Sequence, residues 1–484
     1  MTAKVPPARV HGKPPARSAI HLPDSRRFDA RVATMQSPRP DCPLPICNLR
    51  PKPSIMPVPI LDSLPPLASL IRAGDAIIVG QAGAEPLTLS RALVEEAHSL
   101  PGAVNVFLGA VLSDTFARPL HAHLRPGGYG IMGGAAKGFA SQPGSISGVL
   151  PTPYRELEAA FSAGRLRADV VMLQLAISPD GSRLSLGMAN DYVVAAARRA
   201  RCVIAEINPD APFTPNTEAD ATTLRIDVAV RAAAGTVQSP TMAAEEAERR
   251  IAAHVASVVP DRATIQIGLG ALPDAVLGLL SQHKDLGLHS GLVGDSAVAL
   301  IESGAITNAH KGLDPGVSVT NTLGGTTRAH RHAHDNPQFL IRPATYTHHP
   351  VTLASLHRFH AINSALEVDI TGQANAEHDG RTWRGGLGGL GDFVRTARLS
   401  EGGRGIVALA STSRDGKRSR IVAGTSRGQV TLSRGDADMV ITEWGVADLR
   451  YATFEERVHR MIAIADPRFR EQLERDWHAL RGAT

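Results

Sequence analysis

The sequence predicts an α/β protein made of two similar, open, mostly parallel α/β halves, and two observations lead there. The first is an internal echo. Residues 67–86 run helix, turn, strand, glycine loop and new helix, and residues 251–273 repeat the order. Each copy has a short β-rich run that ends in glycines, Gly80 and Gly83 in one and Gly268 and Gly270 in the other. A proline follows near the start of the next helix, where its missing N–H is tolerated. The second observation is a pair of apolar β-rich runs at 170–175 and 202–207 around a helical stretch at 192–200, the spacing of βαβ units.

Residues 232–245 read as a linker into an amphipathic helix. The expected organisation is therefore an extension over 1–55, an N-terminal α/β domain over 56–240 and a C-terminal α/β domain over 241–484. Its last segment, 454–480, is charged and helical, with Pro467 dividing it.

Composition narrows the function classes. The chain has 484 residues, 43% hydrophobic and 20% charged, which suits a soluble protein of two or three domains. No apolar run approaches the ~20 residues of a membrane span. The net charge of +5 suggests nucleic acid until it is located. Residues 1–55 hold ten Lys and Arg against three acids, whereas the rest holds 41 against 43, so the body is slightly acidic. That basic stretch is crowded with proline (Pro6, Pro7, Pro14, Pro15, Pro38, Pro40), which excludes regular helix and a core. It is expected to be an unstructured extension, or to precede a true start at Met35 or Met56. Of three cysteines, Cys42 and Cys47 fall there and Cys202 in the body, so no disulfide framework can form within the fold and a reducing cytoplasm fits.

The chemistry concentrates at 361–393. Alternation around Ser364, Leu366, Val368 and Ile370 reads as a half-buried strand, yet Glu367 and Asp369 sit inside it. Carboxylates there need partners or a task. The glycine run 386–391 has no side chains to pack, so it suits close approach of backbone N–H groups to a ligand. Histidines at 330, 332, 334, 348, 349, 357 and 360 invite a metal, since alternate spacing could put three imidazoles on one strand face. Only Asp335 is available to close such a site, so a solvated, arginine-rich edge and no metal are expected.

Three phrases, residues 361–375, Gly386-Leu-Gly388-Gly389-Leu-Gly391-Asp392-Phe393 and Ile441-Thr-Glu443-Trp-Gly445-Val-Ala-Asp448-Leu-Arg450, together resemble the acetyl-CoA hydrolase/transferase family, of the class I coenzyme A transferases that include 4-hydroxybutyrate and acetate CoA-transferases. The likeness extends to Gln266-Ile-Gly268-Leu-Gly270-Ala-Leu-Pro273 and to 204–209, and so spans roughly residues 60–475. It implies two α/β domains of the CoA-transferase type with the active site between them. The substrate is then a short-chain (acetyl-CoA-like) thioester, with coenzyme A as substrate and no resident cofactor. The implied partners are acyl-CoA and a carboxylate, without nucleic acid or membrane, in a homo-oligomer.

The resemblance also locates a departure. Family members attack the thioester with a glutamate in a Leu-Gly-x-His-Ser/Thr-Glu motif, and this chain reads Leu286-Gly-Leu-His289-Ser290-Gly291. Gly291 offers no carboxylate. Three outcomes follow: direct hydrolysis with water activated by a surviving acid such as Glu367 or Glu443, acyl-CoA binding without turnover, or transfer through a carboxylate from elsewhere. Backbone amides at Gly268, Gly270, Gly386, Gly388 and Gly389, with Asp392 in the same loop, are the candidate coenzyme and oxyanion contacts. Asp295 is expected to brace, and Arg328, Arg331 and Lys137 to meet nucleotide phosphates.

Overall fold

The structure, a computed structural model, describes residues 58–132, 148–379 and 383–482. The extension 1–55, with Cys42 and Cys47, and Lys137 lie outside the described residues.

The first half supplies β1 (Ile60–Leu61), β2 (Ala76–Val79), β3 (Val104–Ala110), β4 (Leu124–Met132), β5 (Val170–Ile177), β6 (Leu184–Ser185), β7 (Cys202–Ile207) and β8 (Val228–Arg231). They form one sheet in the order β1-β8-β7-β5-β2-β3-β4, parallel throughout, with β6 antiparallel on β5. The run Val170–Ile177 is apolar on both faces but for Gln174, because helices cover both. Ile77 and Val79 pack with Leu89 and Leu93 on one side, while Ile78 packs with Phe161 and Tyr192 on the other, as a period of two requires.

The second half supplies β9 (Thr264–Ile267), β10 (Gly287–Val293), β11 (Ser318–Leu323), β12 (Phe339–Ile341), β13 (Phe359–Asn363), β14 (Glu367–Asp369), β15 (Ala374–Asn375), β16 (Arg404–Ala408), β17 (Ile421–Val422), β18 (Met439–Thr442) and β19 (Gly445–Asp448). Eight of these form a sheet in the order β12-β11-β10-β9-β13-β16-β18-β19, parallel but for β19, and β15-β14-β17 form a small sheet beside it. The helix Glu246–Val258 opens with a capping box between Glu245 and Glu248. The C-terminal segment forms two helices, Phe454–Ala463 and Pro467–Gly482, with Pro467 first in the second.

The echo differs between its copies. The second begins with a full helix, whereas the first begins with a single 3₁₀ turn, Leu67–Ser69.

The histidine run also departs from expectation. His330 and His332 lie on a helix, Thr327–Ala333, and not on a strand, so a helical period separates them. His330, His348 and His360 are buried, not part of a solvated edge. Among the described residues no group of three His, Cys, Asp or Glu is placed to hold a metal, and no helix is long and apolar enough to cross a membrane.

Candidate active site

The two large sheets meet at the carboxyl ends of their parallel strands, where open α/β sheets bind ligands. A cavity of ≈ 220 Å³ lies there. From the first half it takes Gln81 and Ala82 just past β2, Ala110 at the end of β3, and Tyr129 and Tyr154. From the second it takes the ends of β9, β10, β11 and β13 at Ile267, Leu292, Thr322 and Asn363.

A relay of hydrogen bonds crosses between the halves. Tyr129 Oη donates to Gln81 Oε1 at 2.6 Å, Gln81 Nε2 donates to Tyr154 Oη at 2.9 Å, and Tyr154 Oη donates to Asn321 Oδ1 at 2.7 Å. Asn321 Nδ2 in turn donates to the Asn190 carbonyl at 2.6 Å. Such a buried, satisfied chain fixes the registry of the elements it joins. Burial holds the Tyr129 and Tyr154 hydroxyls protonated, well above the usual phenol range. A salt bridge from Arg155 Nε to Asp392 Oδ1 at 2.7 Å and a bond from the Tyr154 amide to the Gly388 carbonyl at 3.1 Å tie the same halves together.

One imidazole enters this neutral space. His348 is 3% exposed and packs between Tyr154, at a ring distance of 4.9 Å, and Phe393, at 4.4 Å. Two glycines make room for it. A Cβ on Gly291 would lie 3.0 Å from His348 Nε2, and one on Gly389 would lie 2.8 Å from the same atom. Nδ1 lies 2.9 Å from Thr347 Oγ1, and no described residue bonds Nε2. Behind it, His289 Nε2 donates to the Thr347 carbonyl at 3.0 Å, so the histidine next to Ser290 anchors the segment that carries His348. Burial pushes the His348 ring down to about 3, which keeps it neutral at ordinary pH.

The structure gathers some of the sequence-predicted residues and leaves others apart. Gly268, Gly388 and Gly389 line the cavity together with Gly291. Gly270 sits at the head of the helix Ala271–Leu279 with φ +124°, and neither it, Gly386 nor Asp392 lines the cavity. Glu367 accepts from Asn375 Nδ2 at 2.9 Å and from Ser426 Oγ at 2.8 Å, inside the small sheet. Glu443 accepts from Ser411 N at 2.9 Å and Ser411 Oγ at 2.6 Å. Neither acid is in the cavity wall. Asp295 accepts from the Thr326 and Ala329 amides at the start of helix Thr327–Ala333. Arg328 pairs with Glu302. Arg331 lines a separate cavity of ≈ 440 Å³ with Asp210, His330 and His334.

Comparison with known proteins agrees with this geometry. Residues 325–477 match the acetyl-CoA hydrolase/transferase C-terminal domain. The 4-hydroxybutyrate coenzyme A transferase of Clostridium kluyveri is 33% identical over 407 residues, 84% of this chain and 94% of that protein. The chain belongs to the acetyl-CoA hydrolase/transferase family. Among solved structures, RipA from Yersinia pestis superposes on this family member with a TM-score of 0.76 at 29% identity, covering 86% of this chain and 96% of that one. The 4-hydroxybutyrate CoA-transferase abfT-2 from Porphyromonas gingivalis gives 0.67 at 30% identity, covering 85% and 95%.

Among the described residues, the cavity wall holds no carboxylate, lysine or arginine. The one imidazole in that wall, among the same residues, is His348, which sequence reasoning placed on a surface edge. The only local signal was its position before His349 and Pro350, and that says nothing of burial.

Proposed function

We propose that this chain binds a short-chain acyl-CoA thioester with its carbonyl in the cavity between the two sheets, and passes the acyl group to a carboxylate or to water. The observation that carries this is the convergence of Gly268, Gly291, Gly388 and Gly389 on one uncharged space at the carboxyl ends of the strands. Backbone amides on such loops are suited to a developing oxyanion, which gains most where water is excluded. A smaller apolar cavity of ≈ 130 Å³, lined by Leu269, Leu272, Val276 and Ile362, shares Gly268 and Asn363 with the first and suits the pantetheine arm. The reading keeps coenzyme A as a substrate with no resident cofactor, in a cytoplasmic homo-oligomer whose halves divide near residue 240.

Calorimetry with coenzyme A and acetyl-CoA tests it first, because absence of uptake would remove the basis for any turnover. Acetyl-CoA incubated with labelled acetate then separates exchange, which means transfer, from release of free thiol, which means hydrolysis. A second reading, an acyl-CoA-binding protein without turnover, is favoured by the missing carboxylate at Gly291. It predicts binding with neither outcome.

A further inference from the structure

The space that Gly291 leaves open is not vacant: the His348 ring occupies it. Thr347, itself fully buried, has its hydroxyl 3.2 Å from the Pro343 carbonyl and 2.9 Å from His348 Nδ1. The carbonyl can only accept. A hydroxyl that donates to it is left with a lone pair for Nδ1–H, and this tautomer turns the Nε2 lone pair toward Gly291 and Gly389. Among the described residues nothing bonds Nε2, and His348 lines the cavity, so that nitrogen is left for a molecule held there.

We infer that His348 is the general base of a direct thioester hydrolysis, standing in the place where a nucleophilic carboxylate would otherwise be. This rests on the reading of the cavity as the thioester site. A water held between Nε2 and the carbonyl carbon gives up a proton to Nε2 as its oxygen attacks. The C–O bond forms, the oxyanion is held by amides of the glycine loops, and the C–S bond then breaks. The proton on the imidazolium passes to the departing thiolate, so acyl-CoA and water become the free acid and coenzyme A, and the neutral ring is restored. No acyl-enzyme forms, and no acceptor carboxylate is needed.

The groups that face His348 carry no charge: Tyr154 beside it, Tyr129 across the cavity and His289 behind Thr347. With no anion nearby to stabilise an imidazolium, the ring stays a free base well below its ordinary titration. Removing a positioned base costs typically about 10²–10⁴ in rate.

The test compares the full chain with His348→Ala and His348→Gln, following free thiol from acetyl-CoA and butyryl-CoA and measuring acyl-CoA affinity by calorimetry. The expected result is thiol release by the native chain, and release at least about 100-fold slower in both variants with affinity within about threefold. Variants that bind and hydrolyse at the native rate overturn the role of His348. So does a native chain that binds acetyl-CoA without releasing thiol, or that exchanges labelled acetate into it. If no form binds acyl-CoA, the site reading itself fails. If both variants fail to fold, the pH profile of the native chain decides. Rates flat from pH 8 to 5 support the inference, and an acid limb near an ordinary histidine value, about 6.5, overturns it.

Discussion

His348 Nε2 lies 3.0 Å from the point a Cβ on Gly291 would occupy, so the ring and any side chain at 291 compete for one space. Phe393 Cε2, 3.3 Å from the same point, prevents escape to the other side. Gly291→Ala should therefore destabilise the native chain by about 1–3 kcal/mol, as overpacking does. It should cost clearly less in a His348→Ala background. Urea unfolding of the four proteins gives the coupling directly, and additivity would show that the two positions do not share this space. The same geometry predicts that Gly291→Glu alone gains no acetate exchange, whereas Gly291→Glu with His348→Ala gains it.

Burial of a neutral imidazole also sets an acid dependence. His348 titrates near 6.5 in the unfolded chain and is pushed down to about 3 in the folded one. Between these values the unfolded chain binds the extra proton, so the derivative of stability with pH is positive. The contribution is complete above pH 6.5 and is lost as pH falls toward 3, at up to about 1.4 kcal/mol per unit. Unfolding midpoints at pH 7 and pH 5 should separate more for the native chain than for His348→Gln. Equal separations would mean that the ring is not held neutral.

Why was this residue hidden while others were plain? Glycine loops after short β runs announce themselves locally, and Gly268 and Gly388 could be placed from a few neighbours. The capping box at Glu245 and the break at Pro467 are equally local. His348 differs, because its surroundings come from Tyr154, Gly291 and Phe393, each dozens of residues away or more. Its neighbour His349 is exposed and caps the short helix Pro350–Ala354, so adjacency in sequence even points the wrong way. For Glu367 the sequence showed an acid that needed a partner, and the partner, Ser426, is 59 positions on.

Both oxygens of Glu443 are engaged by Ser411, and Glu367 is held by Asn375 and Ser426. Their expected role is to brace the loops that carry the cavity wall. Glu443→Gln and Glu367→Gln should then lower stability by about 1–3 kcal/mol, the usual consequence of leaving buried donors mismatched. The rate of thiol release per folded molecule should stay within about threefold of native, since the reacting atoms are untouched. A loss of kcat in a variant of native stability would return that acid to the chemistry and displace His348.

The same neutral wall bears on which acyl group can enter. Among the described residues, the groups that face the cavity are amide, hydroxyl, aromatic and aliphatic, with a free-base imidazole. A terminal carboxylate brought in with the acyl chain would lose its water and meet no cation. That penalty amounts to several kcal/mol when no partner compensates it. Butyryl-CoA and succinyl-CoA have chains of equal carbon number and differ in that one charge. The kcat/KM for succinyl-CoA should accordingly fall at least about 100-fold below that for butyryl-CoA, since 1.4 kcal/mol is a factor of ten. The deficit should lie mainly in KM, because the charge is repelled on entry and not at the reacting carbon. Similar values for the two thioesters would require a cation to reach the acyl end, and the uncharged wall could not then be what selects the substrate.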